Sequence, residues 1–184
     1  LQFSLKADVP DLRATAADFG KELPLAGSIK VDARDFQLSG GKITTGSLLL
    51  DTEGLAWDGI ALSGGQVAAH VERENFVRFA VDLGLDETNL VHFAGTVDAT
   101  AKRYEAEATI ALDTAGRLGT VLRDLEKESF SGAVGLAWKG RGSLGAAGHA
   151  GAAKIDLRAV RIGEGTAIDG NVGANYENQS ATLD

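Results

Sequence analysis

The sequence predicts a mainly β protein with two short helices, arranged as a repeated, curved antiparallel β-meander that forms an open groove or taco-like β-structure. Three observations predict this fold class. Apolar and polar residues alternate along most of the chain, glycine-containing turns separate the alternating runs at short intervals, and the second half of the sequence repeats the first.

The repeat has one constant offset and needs no gap. Identities separated by 105 residues include Asp8/Asp113, Gly27/Gly132, Asp51/Asp156 and Gly65/Gly170. Residues 1–105 are therefore expected to form a first helix-plus-meander repeat, and residues 106–184 a second, truncated one. A repeated scaffold of this kind usually offers a long surface and not a single catalytic pocket.

The two helices are predicted at equivalent places in the two repeats. Residues 10–23 place apolar side chains at helical spacing, with Asp8 as the expected N-cap and Pro10 in the first turn. Residues 115–127 repeat this spacing after Asp113 or Thr114 as the cap. Each helix has a narrow apolar stripe, which suits a helix that lies across a sheet end or face.

Period-two alternation predicts the strands and assigns their apolar side chains to one face. Only two short helices are available to cover that face, so we expect it to remain partly open. The candidate apolar groove consists of Ile29, Val31, Leu48, Leu50, Phe79, Val81, Leu83, Phe93 and Val97.

Composition excludes several classes of site. The 184-residue chain has no cysteine, which excludes a disulfide framework, a thiolate zinc site and a cysteine nucleophile. Its net charge of −8 disfavours nucleic acid as a partner. No apolar run approaches the about 18 residues of a membrane-spanning helix. Because the chain opens inside an alternating pattern, we expect it to be a piece of a longer polypeptide, with any membrane anchor elsewhere.

The sequence contains no convincing catalytic or metal-binding motif. Residues 140–145 match the dinucleotide-binding pattern of glycines, but the following residues do not predict the helix that would hold a pyrophosphate. His70, His92 and His149 are far apart and belong to no metal motif. We therefore predict no enzymatic activity, no catalytic residue, no metal site and no cofactor.

Two pairs of segments resemble the AsmA-like superfamily, which includes the TamB-type translocation and assembly proteins of Gram-negative bacteria. They are Leu25–Ile29 with Phe130–Val134, which follow the helices, and Gly64–Val67 with Asp169–Val172. The resemblance implies an inner-membrane-anchored periplasmic protein with a long apolar β-groove. It also implies a part in phospholipid transport between membranes and in outer-membrane biogenesis. The alanine-rich stretch Gly145–Ala153 departs from the pattern and predicts an irregular second repeat.

The resulting expectation is a non-enzymatic periplasmic scaffold, with phospholipid acyl chains as the ligand and outer-membrane assembly proteins as further candidate partners. Burial of an acyl chain contributes about 0.8 kcal/mol per CH₂ and needs no catalytic constellation. The alternative is an extracellular or cell-surface repeat adhesin or binding module, because glycine-rich β-meanders also occur there. A β-helix enzyme is disfavoured because its rungs are far shorter than this repeat.

Overall fold

The computed structural model describes residues 1–22, 24–57, 60–86, 88–113, 130–145, 148–178 and 180–183. These residues form one helix and twelve strands. The helix α1 is Leu12–Asp18. The strands are β1 Gln2–Val9, β2 Leu25–Ser39, β3 Lys42–Trp57, β4 Ile60–Ala61, β5 Gly64–Arg73, β6 Phe76–Gly84, β7 Leu90–Asp98, β8 Arg103–Leu112, β9 Phe130–Ser143, β10 His149–Ile162, β11 Ile168–Glu177 and β12 Ser180–Leu183.

All strands belong to one antiparallel sheet, in the order β1-β2-β3-β5-β6-β7-β8-β9-β10-β11-β12, with the short β4 paired to β3 beside this path. The predicted fold class, a β-meander, is thereby confirmed. Short turns join β2 to β3, β5 to β6 and β7 to β8, so these strands pair with their neighbours in sequence, whereas α1 lies between β1 and β2 and residues 113–129 lie between β8 and β9. Between β2 and β3 the turn residues Gly40 and Gly41 have φ values of 58° and 77°, which favour glycine.

The helix α1 is shorter than predicted, and the prediction that Asp8 is its cap is wrong. Asp8 lies in β1, where it pairs with Lys30, because the strand alternation continues to Val9. The N-cap is Asp11, whose side chain accepts a hydrogen bond of 3.0 Å from the backbone N–H of Ala14. The helix contacts β2. The predicted second helix, 115–127, lies outside the described residues.

The strand registers carry the same offset as the sequence repeat. Lys30 pairs with Asp51 between β2 and β3, and Gly135 pairs with Asp156 between β9 and β10. The next pair of strands agrees as well, since the partners Gly46/Val71 recur as Gly151/Tyr176. Three neighbouring strands of the sheet, β2, β3 and β5, therefore recur with the same pairing as β9, β10 and β11.

Both halves also contain the same β-bulge, built on a repeated glycine. Gly27 has φ of 116° and Gly132 has φ of 93°. A Cβ on Gly27 would lie 2.8 Å from the carbonyl oxygen of Gly54, and one on Gly132 would lie closer still to that of Ala159. Gly54 and Ala159 are again 105 positions apart, with φ values of 60° and 48°. A residue without a side chain is needed at each bulge.

The correspondence weakens at both ends of the repeat. In the first half Leu5 of β1 pairs with Ala33, and the 105-residue offset would pair Ile110 of β8 with Trp138. Ile110 pairs with Leu136 instead, a displacement of two residues, and an even displacement keeps each side chain on the face of its counterpart. The β11–β12 register is displaced by one residue relative to β5–β6, which moves the β12 side chains to the other face. The division into repeats at residues 105 and 106 remains a prediction, which the β2–β5 and β9–β11 registers support.

Equivalent bulges predict equivalent effects of substitution. We expect Gly27→Ala and Gly132→Ala each to destabilise the fold by about 1–3 kcal/mol, because both force a side chain into the left-handed region and against a carbonyl. Urea unfolding followed by circular dichroism measures the loss. Gly170→Ala is the control, since a Cβ there meets nothing within 4 Å and its φ is ordinary. A loss at only one of the two bulges would contradict their equivalence.

Candidate binding surfaces

The sheet presents two faces of opposite character. Successive residues of a strand point to opposite faces, and directly paired residues on neighbouring strands point to the same face. We call apolar face the side that carries Phe79, Val81 and Leu83 of β6. The polar face is the side that carries Arg78 and Asp82.

All nine residues of the predicted apolar groove lie on the apolar face. One row of paired residues crosses five strands and consists of Val31, Leu50, Val67, Val81 and Phe93. The other five predicted residues lie on the same side in parallel rows, and they are Ile29, Leu48, Phe79, Leu83 and Val97. Whether this face receives a ligand stays a prediction.

The apolar face continues beyond the predicted residues into the second half of the chain. The row that contains Leu83 extends through Val91, Ile110, Leu136, Ile155 and Val172. The sequence carried a signal for these residues, because each stands in the apolar phase of its strand. The groove prediction left out Leu136, Ile155 and Val172 because alanine and glycine are so frequent in the second repeat, and it left out Val91 and Ile110 although their alternation placed them on an apolar face.

Aromatic rings fill the space above these small residues. The indole N–H of Trp138 donates a hydrogen bond of 3.2 Å to the hydroxyl of Tyr176, and the two side chains lie over Gly140 and Gly151. The rings of Trp138 and Tyr176, which cover these glycines, form the apolar surface of the sheet at strands β9 to β11.

Within the alanine-rich stretch, residues 149–153 belong to strand β10 and pair with β9 and β11, whereas Gly145 and Gly148 lie outside the strands and have φ values of 80° and 129°.

Among the described residues, no second sheet covers the apolar face. The accessible surface of the chain is 11870 Å², whereas a compact monomer of 19.1 kDa exposes about 8,400 Å². Among the described residues only four apolar side chains are buried, namely Ala16, Ala33, Leu55 and Leu112. Phe93 is 37% exposed and Val172 is 44% exposed. The apolar residues are therefore shielded mainly by one another within a single layer.

A cavity of about 1110 Å³ lies on the polar face and is bounded by residues of strands from β2 to β11. Because so many strands border one cavity, the sheet curves around it. A row of paired apolar residues forms its floor, and it consists of Leu49 and three alanines, Ala68, Ala80 and Ala94. Of the nine predicted groove residues, Leu48 and Phe79 border this cavity, and both stand between two polar-face neighbours of the same strand.

Ion pairs within the sheet neutralise the charges around this cavity. The Arg34 guanidinium hydrogen-bonds to Asp32 and lowers the pKa of that carboxyl to about 2, with Lys6 as a further cation 3.4 Å away. Lys139 lies 2.9 Å from Glu107 and lowers the pKa of the Glu107 carboxyl. The cavity therefore offers small apolar residues between paired charges and no strong field of one sign.

The three histidines have separate partners. His70 lies 2.8 Å from the hydroxyl of Ser47, His92 lies 2.6 Å from a carboxylate oxygen of Asp82, and His149 lies 3.0 Å from the hydroxyl of Tyr104. Within the described ranges, no group of three or more His, Cys, Asp or Glu side chains is arranged so that it could hold a metal ion.

Residues 140–143 belong to strand β9, so the glycine motif there does not precede a helix N-terminus. Within the part of the chain that is described, no helix has the length and apolar character required to cross a membrane.

Comparison with known proteins finds no matching family model, curated protein or solved structure.

The packing of rings over glycine predicts a steric effect at Gly151. A Cβ there would lie 2.5 Å from the backbone oxygen of Lys139 and 2.6 Å from the Tyr176 hydroxyl. We expect Gly151→Ala to destabilise the protein by about 1–3 kcal/mol. Gly135→Ala is the control, because its nearest neighbour would be 3.8 Å away. Equal unfolding midpoints in urea for the two variants would contradict the packing described for this end of the sheet.

The lowered pKa of Asp32 predicts a contribution to acid unfolding. The carboxyl titrates at about 2 when folded and near its ordinary value of 3.8 when unfolded, so the unfolded chain takes up the proton first as pH falls. This contribution is complete above about pH 5 and is lost progressively between about pH 5 and about pH 1. We expect Asp32→Asn to lose less stability over that interval than the parent protein.

Urea unfolding at a series of pH values between 2 and 6 measures this slope. Asp8→Asn is the control, because it removes a carboxylate from the adjacent strand and leaves the Asp32–Arg34 pair in place. Identical acid profiles for the parent and the Asp32→Asn variant would contradict the role of the pair.

Proposed function

We propose that this chain is a non-enzymatic β-scaffold whose apolar face binds phospholipid acyl chains. The observation that carries the proposal is the uninterrupted row of apolar side chains across successive strands of a single-layer sheet. Exposed apolar surface of more than a few hundred Å² usually marks an interaction site, since leaving it in water is unfavourable. An acyl chain matches such a surface because it needs burial without directional contacts.

The apolar face is a better candidate for this ligand than the cavity of the polar face. An acyl chain in that cavity would lie beside Arg34, Arg78 and Glu107, and their desolvation would oppose binding. The apolar face offers branched side chains and the tilted ring pair Phe79–Phe93, with centroids 5.2 Å apart. Desolvation of these groups is favourable.

The resemblance to the AsmA-like superfamily extends the proposal to cellular context. On that basis the chain acts in the periplasm as part of an inner-membrane-anchored protein that moves phospholipids towards the outer membrane. Outer-membrane assembly proteins are further candidate partners. The adhesin alternative is distinguished by the ligand, because an adhesin would bind a surface partner without capturing lipid.

A pair of neighbouring substitutions tests which face binds lipid. Val81→Asp places a carboxylate on the apolar face, and Ala80→Asp places the same group on the polar face, one residue away. We expect Val81→Asp to reduce photocrosslinking by at least about tenfold, because a charge in an apolar contact costs several kcal/mol. We expect Ala80→Asp to crosslink like the parent protein.

The probe is a phospholipid with a diazirine in its acyl chain, presented in vesicles, and labelling is quantified by mass spectrometry. Phe93→Asp and Ala94→Asp form a second matched pair on the adjacent strand. Circular dichroism must show a retained β-sheet in each variant. Loss of labelling in Ala80→Asp alone would place the lipid in the polar-face cavity, and unlabelled parent protein or unfolding of Val81→Asp and Phe93→Asp would contradict the proposal.

A further inference from the structure

The first strand has a long exposed edge. In the described part of the chain β1 pairs with β2 alone, and residues 2–8 are exposed along their whole length. Leu5 on the apolar face is 56% exposed. Lys6, the one lysine of β1, is held towards β2 by Asp32 at 3.4 Å. Such a strand has a row of backbone donors and acceptors that can pair with another strand.

The internal repeat indicates what this edge accepts. By the 105-residue offset β1 corresponds to β8, and Leu5 corresponds to Ile110. Strand β8 is paired on both sides, with β9 on one edge and β7 on the other. Since β1 pairs with β2 as β8 pairs with β9, the free edge of β1 is equivalent to the edge of β8 that β7 occupies.

We propose that the free edge of β1 accepts an antiparallel strand with the side-chain pattern of β7, supplied by a polypeptide segment outside residues 1–184. The pattern places apolar residues at alternate positions, like Val91 and Phe93, beside Leu5. Polar or small residues such as His92 stand between them, on the polar face. Backbone hydrogen bonds hold the added strand, and the alternation selects its face.

The face of the added strand follows from two independent alignments. The sequence offset places Leu5 at the position of Ile110, whose partner is Val91. The second alignment uses the strand register. Leu5 pairs with Ala33, the counterpart of Ala33 is Trp138, and Trp138 pairs with Ala108, whose partner on β7 is Phe93. Both alignments put an odd-numbered residue of the β7 pattern beside Leu5, on the apolar face. The repeat does not predict the face of a strand added at the opposite edge, which is β12. The register of β12 is displaced by one residue from that of its counterpart β6, so its side chains point to the other face.

Disulfide trapping tests the proposal, because the chain has no cysteine of its own. Leu5→Cys is mixed with synthetic peptides of residues 88–98 that carry one cysteine at Val91, His92 or Phe93, in a glutathione redox buffer. We expect the peptides with cysteine at 91 or 93 to form several-fold more mixed disulfide than the peptide with cysteine at 92. With Ala7→Cys, the preferred cysteine should move two positions towards the peptide N-terminus, as antiparallel pairing requires.

Two controls separate strand pairing from adhesion to apolar surface. A Phe93→Cys peptide that also carries His92→Pro and Ala94→Pro keeps the thiol but cannot donate to a β-ladder, so it should not react above background. Phe93→Cys in the protein itself offers a partly exposed thiol on the apolar face of β7, where residue 93 is already paired with Val81 on one edge and Ala108 on the other. Equal reaction at residue 93 of the protein, or no difference between peptide positions 91, 92 and 93, would overturn the proposal. Disulfide dimers of Leu5→Cys that form in preference to the peptide adduct would assign the edge to a second copy of this chain instead.

Discussion

Cross-strand pairing in one continuous layer is the constraint on which the rest of this structure depends. The antiparallel ladder joins all the described strands in one sheet, and the described helix α1 contacts β2. Apolar side chains are consequently shielded by their neighbours on the same face, which leaves most of them half-buried. A sheet in this state keeps its fold through backbone hydrogen bonds and side-chain pairs between strands, and each pair contributes roughly 0.2–1 kcal/mol.

The two faces complement each other in this arrangement. Paired ions on the polar face, such as Asp32 with Arg34 and Glu107 with Lys139, keep that side hydrated and fix contacts between strands. Branched and aromatic side chains on the other side exclude water from the ladder. Glycines permit the bulges at Gly27 and Gly132 and the close approach of rings to the backbone. A single layer can therefore bend around a cavity and still present an unbroken apolar surface on its other side.

The function proposed for this chain depends on its surfaces. The histidines and carboxylates of the described residues are dispersed in separate pairs, so they provide ion pairs and hydrogen bonds across the sheet. The two surface features that could bind a ligand are the wide apolar face of the sheet and the exposed edge of strand β1. These two features suit ligands that match by burial and by backbone pairing, which is why a lipid chain and an extended polypeptide are the occupants that the chemistry favours.

The sequence by itself determined the strands, the repeat and the composition of each face, because these depend on local alternation and on turn residues. The nine apolar positions share a side for this reason, since period-two alternation has one outcome once a strand is regular. Sequence reasoning did not find the cap at Asp11, because the alternation of β1 and the start of the helix compete for the same residues. It also missed the extension through Leu136 and Val172. Only the tertiary structure decided the pairing registers, the placement of Trp138 and Tyr176 over glycines, and the presence of the cavity on the polar face. Those features arise from contacts between residues distant in sequence, and from the curvature of a sheet whose strands are all joined.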